Sequence, residues 1–292
     1  YADGQDLVDP NYDFLADRSP SDRKPYWDDQ YMHEYLEELP FDGYLVSRGV
    51  VGDHKFSGKY SAGQAFRLRR EGARNFMRLE DKKFDDILMM GDCGAYSYHK
   101  QDIPPYSPSE ILDFYSDCQF THGCSVDHII FEFNPNLRGM EEFSEPKNRN
   151  IGTELKARWD ITQENAEVFL AESRHLNHPF VPMGVIQGWS PGSMAKAALN
   201  LVKMGYDYLA LGGMATSTIE NIEIVLGEIR KDIPAYVKLH LLGFGKIDQI
   251  EKILPYGVES LDTTSPMLRA FKDPKTSFFM LQDNGIKYYH SI

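Results

Sequence analysis

The chain has 292 residues, 42% of them hydrophobic and 26% charged, with a formal net charge of −13. That apolar share supports a sizeable core, and the length fits one α/β barrel as well as two average domains. No run of eighteen uncharged apolar residues is present, which excludes an ordinary membrane-spanning helix, and the acidic total excludes a uniformly basic nucleic-acid surface while leaving room for a local patch.

Taken in chain order, residues 1–40 are rich in Asp, Pro and Tyr and read as an irregular N-terminal arm with one short helix over 28–39. The first residues are polar and acidic, unlike a signal peptide, and the sequence does not begin with Met. From 41 to 292 short apolar runs alternate with helical patterns. The runs are 43–46, 86–90, 127–133, 180–186, 206–211, 236–242 and 258–261. Each is apolar on both faces, as strands of a doubly covered parallel sheet should be. Helices are predicted from the Ser107-Pro-Ser-Glu110 capping box onward, over 162–174, 193–204 and 217–231, and over 247–254. Strand and helix in alternation predict a (β/α)8 TIM-type barrel, with seven strands assigned and an eighth unplaced. Residues 134–152 are polar and Pro-rich, and read as a long loop beside a site. No internal repeat is present.

The three cysteines, Cys93, Cys118 and Cys124, are too sparse for a disulfide framework and point to a reducing, cytoplasmic compartment. Cys118 and Cys124 stand six apart with no second pair, so no metal is expected on them, and the sequence carries no signal for a cofactor.

Barrels of this kind carry function at the C-terminal ends of their strands. Here those ends are Gly91-Asp92-Cys93-Gly94-Ala95-Tyr96, Glu132-Phe133-Asn134, Gln187-Gly188-Trp189, Gly212-Gly213-Met214, Leu242-Gly243-Phe244 and Asp262-Thr263-Thr264. Singly, each has a plain structural explanation: Gly turns the chain, and Asp caps the next helix. Together, two Asp, a Glu and a Gln at one rim, with glycines that admit a flat ligand, read as a site.

The motifs at 91–96, 184–188, 209–215, 240–245 and 261–266 resemble, in order, those of the tRNA-guanine transglycosylase family. That family shows Asp-Ser-Gly-Gly-(Phe/Tyr)-Gln, Val-Gln-Gly, Gly-Gly-Leu, Met-Gly-Val-Gly and Phe-Asp-(Cys/Ser)-x-x-Pro. The resemblance spans about residues 43–292, including a closing hairpin at 277–291. It implies Asp262 as covalent nucleophile and Asp92 as second catalytic carboxylate. Gln187, Gly188, Gly212, Gly213 and Met214 would then contact the base, with Leu242 and Gly243 lining its pocket and Tyr96 stacking on it. Either Glu132 or Asn134 would read the base edge, and Arg269 and Lys272 would meet the nucleic-acid backbone. Such residue types suit the chemistry, because cleaving an N-glycosidic bond develops oxocarbenium character that a carboxylate stabilises and traps.

The family's zinc motif, placed after the last barrel strand, has no counterpart here, since no Cys follows residue 124. Its absence, and the thin basic stretch after Asp262, point away from tRNA. The arm at 1–39 with the Leu45-Val46-Ser47-Arg48-Gly49 opening makes the chain more similar to the DpdA-type DNA 7-deazaguanine transglycosylase branch. The expected substrates are then DNA in preference to tRNA, and a 7-deazaguanine such as the cyano- or aminomethyl-derivative, without a membrane and with a homo-oligomer left open. A tRNA-directed exchanger, a non-catalytic nucleic-acid-binding partner subunit and a nucleoside hydrolase are the rival readings.

Overall fold

The computed structural model describes residues 7–137, 139–140, 149–176, 180–265, 268, 278–282 and 285–289. Seven parallel strands pair in chain order: β1 (Gly43–Ser47), β2 (Leu88–Asp92), β3 (His122–Cys124), β4 (Val181–Ile186), β5 (Tyr208–Leu211), β6 (Lys238–Leu241) and β7 (Val258–Leu261). Parallel neighbours require crossovers, and helices supply most of them. The helices are α1 (Met32–Tyr35), α2 (Arg48–Val51), α3 (Ala62–Glu71), α4 (Ala73–Phe76), α5 (Pro108–Cys118), α6 (Arg149–Ser173), α7 (Pro191–Met204) and α8 (Ile219–Asp232). An antiparallel hairpin, β8 (Phe278–Gln282) with β9 (Gly285–Tyr289), stands apart from this sheet.

Local chemistry sets the helix starts. Ser107 and Glu110 form the expected capping box on α5, Ser190 caps α7 with Pro191 in its first turn, and Thr218 caps α8. Gly205, with φ +110°, ends α7 where a side chain would be strained.

The sheet is curled. Laid flat, β2 and β7 would lie five strand spacings apart, about 24 Å, too far for their end residues to sense each other's charge. Yet the charge of Asp262, just past β7, raises the pKa of Asp92 at the end of β2. Outside the curl, α3 to α5 bury Phe76, Leu112 and Phe114 with Val46 and Met89, while α6 to α8 bury Leu170, Leu201 and Val225 with Ile186, Leu209 and Leu239. Inside it, Met90, Cys124, Met183, Val185, Tyr208, Ala210 and Leu242 form a separate cluster.

Six of the seven predicted strands stand within two residues of their expected bounds. The third does not. The ladder engages His122–Cys124, against Met90 and Gly91 on one side and Val181 to Met183 on the other. Residues 127–133, expected as that strand, run on beyond it outside any ladder. Their apolar character resembles a strand, but their backbone is held by side chains. Thr162 Oγ1 accepts from His128 N at 3.0 Å, and Gln187 Oε1 accepts from Ile130 N at 3.1 Å. Among the described residues no eighth strand joins the sheet, whose order ends at β1 and β7. Within residues 7–40, Tyr26 and Tyr31 are buried in the same cluster as Val46, and the Tyr26 hydroxyl donates to Phe76 O at 2.8 Å.

Two glycines fix the spacing between sheet and helices. A Cβ on Gly91 would stand 2.4 Å from Tyr115 Cε1, and one on Gly123 would stand 2.5 Å from Tyr115 Cδ2. The ring cannot retreat easily, since its hydroxyl donates to Cys124 O at 2.9 Å. Gly91→Ala should cost about 1–3 kcal/mol by overpacking. Thermal unfolding checks it: the Tm should fall, and pairing the change with Tyr115→Leu should cost less than the two single losses together.

Candidate active site

Side chains alternate along a strand, so the residues facing the inside of the curl determine which residue just past each strand end faces it too. Met90 is inward, hence Asp92. Val185 is inward, hence Gln187. His240 and Ser260 face each other inside, hence Leu242 and Asp262. The sequence therefore delivers one carboxamide and two carboxylates to a common mouth.

Asp92 is partly buried and pairs in register with Ser47, whose side chain bonds it, and it accepts from Gly94 N at 2.9 Å. Gly94 has φ +90° and lies against Gly49, where a Cβ would come within 2.4 Å of the Gly49 nitrogen. Desolvation first, then the charges of Asp127 and Asp262, push the Asp92 carboxyl up to about 7.

Asp127 is the residue that sequence reasoning missed. It is 2% exposed and bonded at both oxygens: Cys93 Sγ donates to Oδ1 at 3.0 Å, and Gln187 Nε2 donates to Oδ2 at 2.7 Å. Burial raises its pKa against the pull of those two donors. Tyr98 completes the group, its hydroxyl donating to Cys93 Sγ at 3.0 Å and lying 3.1 Å from Asp127 O. Had the third strand been read as ending at Cys124, Asp127 would have stood at the rim with Asp92 and Gln187.

Asp262 is 9% exposed and accepts at Oδ1 from Gly243 N at 2.9 Å, with His240 Nε2 at 3.2 Å from the same oxygen. Gly243 has φ +70°, which aims its N–H at the carboxylate without strain. His240 carried no sequence signal beyond its place inside a strand.

The remaining expected residues divide. Gly212 and Gly213 make room for Gln187: a Cβ on Gly212 would stand 2.4 Å from Gln187 Nε2, and one on Gly213 3.0 Å from its Oε1. Gly188 packs under α7, 2.7 Å separating its would-be Cβ from Ser193 Oγ. Met214 is buried beside Leu211, Leu242 and Phe244. Tyr96 stands at the rim, 72% exposed, with its ring 6.1 Å from that of Phe131. Glu132 is exposed and outside this group, and Asn134 is spent on its own loop, donating N to Trp189 O and accepting from Asn136 N. Neither Glu132 nor Asn134 joins the cluster, because the chain leaves the sheet at Cys124, well before reaching them. Arg269 and Lys272 lie outside the described residues.

Asp92, Cys93 and Asp127 bring potential ligand atoms within 4.8 Å of one another, the one such grouping among the described residues. Its members are bonded within the protein, Cys93 Sγ to Asp127 Oδ1 and Asp92 to Gly94 N, and burial with the neighbouring carboxylates pushes the Cys93 thiol well up.

An α/β half-barrel with three carboxylates at its strand ends is the class of molecule that these features define. No protein-family model matches the chain. It is 36% identical over 279 residues to a DNA-guanine transglycosylase of Salmonella montevideo, a match covering 95% of this chain and 64% of the relative. It is 28% identical over 171 residues to a queuine tRNA-ribosyltransferase of Thioalkalivibrio sulfidiphilus, covering 57% of this chain and 42% of the relative. A second queuine tRNA-ribosyltransferase, of Saccharophagus degradans, is 25% identical over 122 residues, 41% of this chain and 30% of the relative. The chain belongs to the tRNA-guanine transglycosylase family. It spans just under two thirds of the length of the Salmonella relative and less than half of the other two. Among the described residues no helix is long and apolar enough to cross a membrane.

The raised Asp92 pKa carries a stability consequence. A carboxyl whose folded pKa stands above its unfolded one favours the fold while protonated, and that advantage is lost as pH rises through about 7. Asp92→Asn keeps an acceptor for Gly94 N and carries no charge. Its Tm should exceed that of the parent by a few degrees at pH 8 and match it near pH 4, as thermal unfolding at the two pH values will show.

Proposed function

We propose that the chain is a base-exchange transglycosylase that replaces guanine in a nucleic acid, DNA in preference to tRNA, with a 7-deazaguanine. The observation that carries this reading is the pair Asp92 and Asp262, within electrostatic reach of each other across the mouth, one carboxyl raised to about 7 and the other held by two groups on a single oxygen.

In the first step, Asp262 attacks the sugar C1′. The C1′–N9 bond breaks, its electron pair leaves with guanine, and an ester to Asp262 forms with inversion. Asp92, near half-protonated at neutral pH, gives the departing base a proton and takes one from the incoming base. The nitrogen of that base then attacks C1′, the ester bond breaks back to the carboxylate, and the second inversion restores the configuration. Asp127 has both oxygens bonded, yet each keeps a further lone pair for the N–H edge of a purine. Gln187 orients Asp127 rather than leaving its own amide free. Met214 and Tyr96 would flank a base flipped out of its stack. Arg269 and Lys272 are the cations proposed for the backbone, and the reading carries with it an eighth strand that closes the seven into a (β/α)8-type barrel.

DNA is preferred because the Salmonella relative, matched along 95% of this chain, is named for guanine exchange in DNA. A tRNA substrate is the second reading, favoured by the two queuine tRNA-ribosyltransferases. Incubation with radiolabelled guanine and either duplex DNA or tRNA separates them. Label should enter DNA, and label entering tRNA alone selects the second reading. Asp262→Asn should lower incorporation by about three orders of magnitude or more, as loss of a nucleophile does. The rate should fall as pH rises above about 7, where Asp92 loses its proton, and Asp92→Asn should remove that limb. Incorporation into neither polymer would leave a binding subunit as the better account.

A further inference from the structure

His240 lies on the inward side of β6 and is 2% exposed. A register shift between Leu239 and His240 aligns Leu239 with Val258 and His240 with Ser260, passing over Glu259. Bulges of this kind re-aim a side chain. Here the imidazole is engaged at both nitrogens: Nδ1 lies 2.6 Å from Ser260 Oγ, and Nε2 lies 3.2 Å from Asp262 Oδ1. Ser260 Oγ in turn lies 2.5 Å from the Tyr208 hydroxyl.

The chemistry of the groups orders this chain. A carboxylate oxygen only accepts, so the contact with Asp262 is a hydrogen bond when Nε2 carries a proton. Ser260 can turn its hydroxyl to match either role at Nδ1, and Tyr208 fixes the position of that serine. Gly243 N also donates to Oδ1, at 2.9 Å. Both donors thus draw on one oxygen of Asp262, and among the described residues no hydrogen bond reaches Oδ2.

We propose that His240 is a positioning residue for the nucleophile: its Nε2–H, aligned by Ser260 and Tyr208, clamps Asp262 Oδ1 and leaves Oδ2 as the oxygen that attacks the sugar. The proposal rests on the covalent-exchange reading above.

Two substitutions in the full chain test it. His240→Phe keeps the ring and removes both nitrogens, while His240→Gln returns an amide donor on that side. With labelled guanine and duplex DNA, or tRNA if that is the polymer used, the Phe variant should lose about 10- to 100-fold in kcat, as expected for a lost hydrogen bond to a charged group, with KM for guanine changed by less than about twofold. The Gln variant should regain at least about fivefold of that loss while sharing the Tm of the Phe variant. Equal rates for the two variants, or a Phe variant with the parental kcat, would overturn the clamp. Imidazole nitrogen NMR of isotope-labelled protein needs no turnover: Nε2 should be protonated, and its resonance should move on Asp262→Asn. An unprotonated Nε2, or one indifferent to Asp262, sinks the clamp even in an active enzyme. A protonated, Asp262-coupled Nε2 in a chain inactive on both polymers upholds the clamp and sinks the exchange reading instead.

Discussion

Asp92, Asp127 and Asp262 share the inside of a curled sheet otherwise lined by Met90, Cys124, Met183, Val185, Tyr208 and Ala210. Carboxylates are costly to keep in such surroundings unless each is bonded, and like charges at close range raise the cost further. The three are relieved in three ways. Asp92 moves towards its protonated form, with Ser47 and Gly94 as partners. Asp127 is held at both oxygens by Cys93 and Gln187. Asp262 receives a backbone N–H and an imidazole. One constraint thereby produces three different carboxyl groups, as the proposed acid, recognition and nucleophile roles would require.

The glycine-rich strand ends follow from the same constraint. Gln187 can hold Asp127 only if its amide lies flat over β5, and the space for that amide is the missing side chain of Gly212. Gly213 then lets the carbonyl of Ile130 approach, and Ile130 N is bonded to the other end of the same amide. The glycine pair reads in sequence as an opening for a flat ligand. In the fold it is first an opening for a glutamine.

Alternation makes much of this legible in the sequence alone. Strands β1, β2, β4, β5, β6 and β7 follow from apolar runs, and Asp92, Gln187 and Asp262 from the residues that close them. The exception is instructive. Residues 127–133 carry four apolar residues in seven and read as a strand, but β3 is only His122–Cys124, and the ring of Tyr115 rather than strand propensity selects its Gly123. Packing from another element is invisible to a window of sequence. That one displacement puts Glu132 and Asn134 at the apparent strand end and hides Asp127 inside the apparent strand. His240 is hidden for a different reason: its importance depends on a register shift relative to β7, and register is a property of two strands together.

The negative total of the chain, awkward for a partner of nucleic acids, takes a more specific meaning at the site. Carboxylates at the mouth repel phosphates, so they contribute nothing to holding a backbone. On the proposed exchange reading the sign reverses at the sugar carbon, because C1′ becomes positive as the base departs and a carboxylate such as Asp262 would face that charge. An acidic mouth therefore opposes docking of the polymer and favours its chemistry. On the proposed reading, a polymer backbone held apart from the carboxylates, with only the flipped nucleoside reaching them, satisfies both demands.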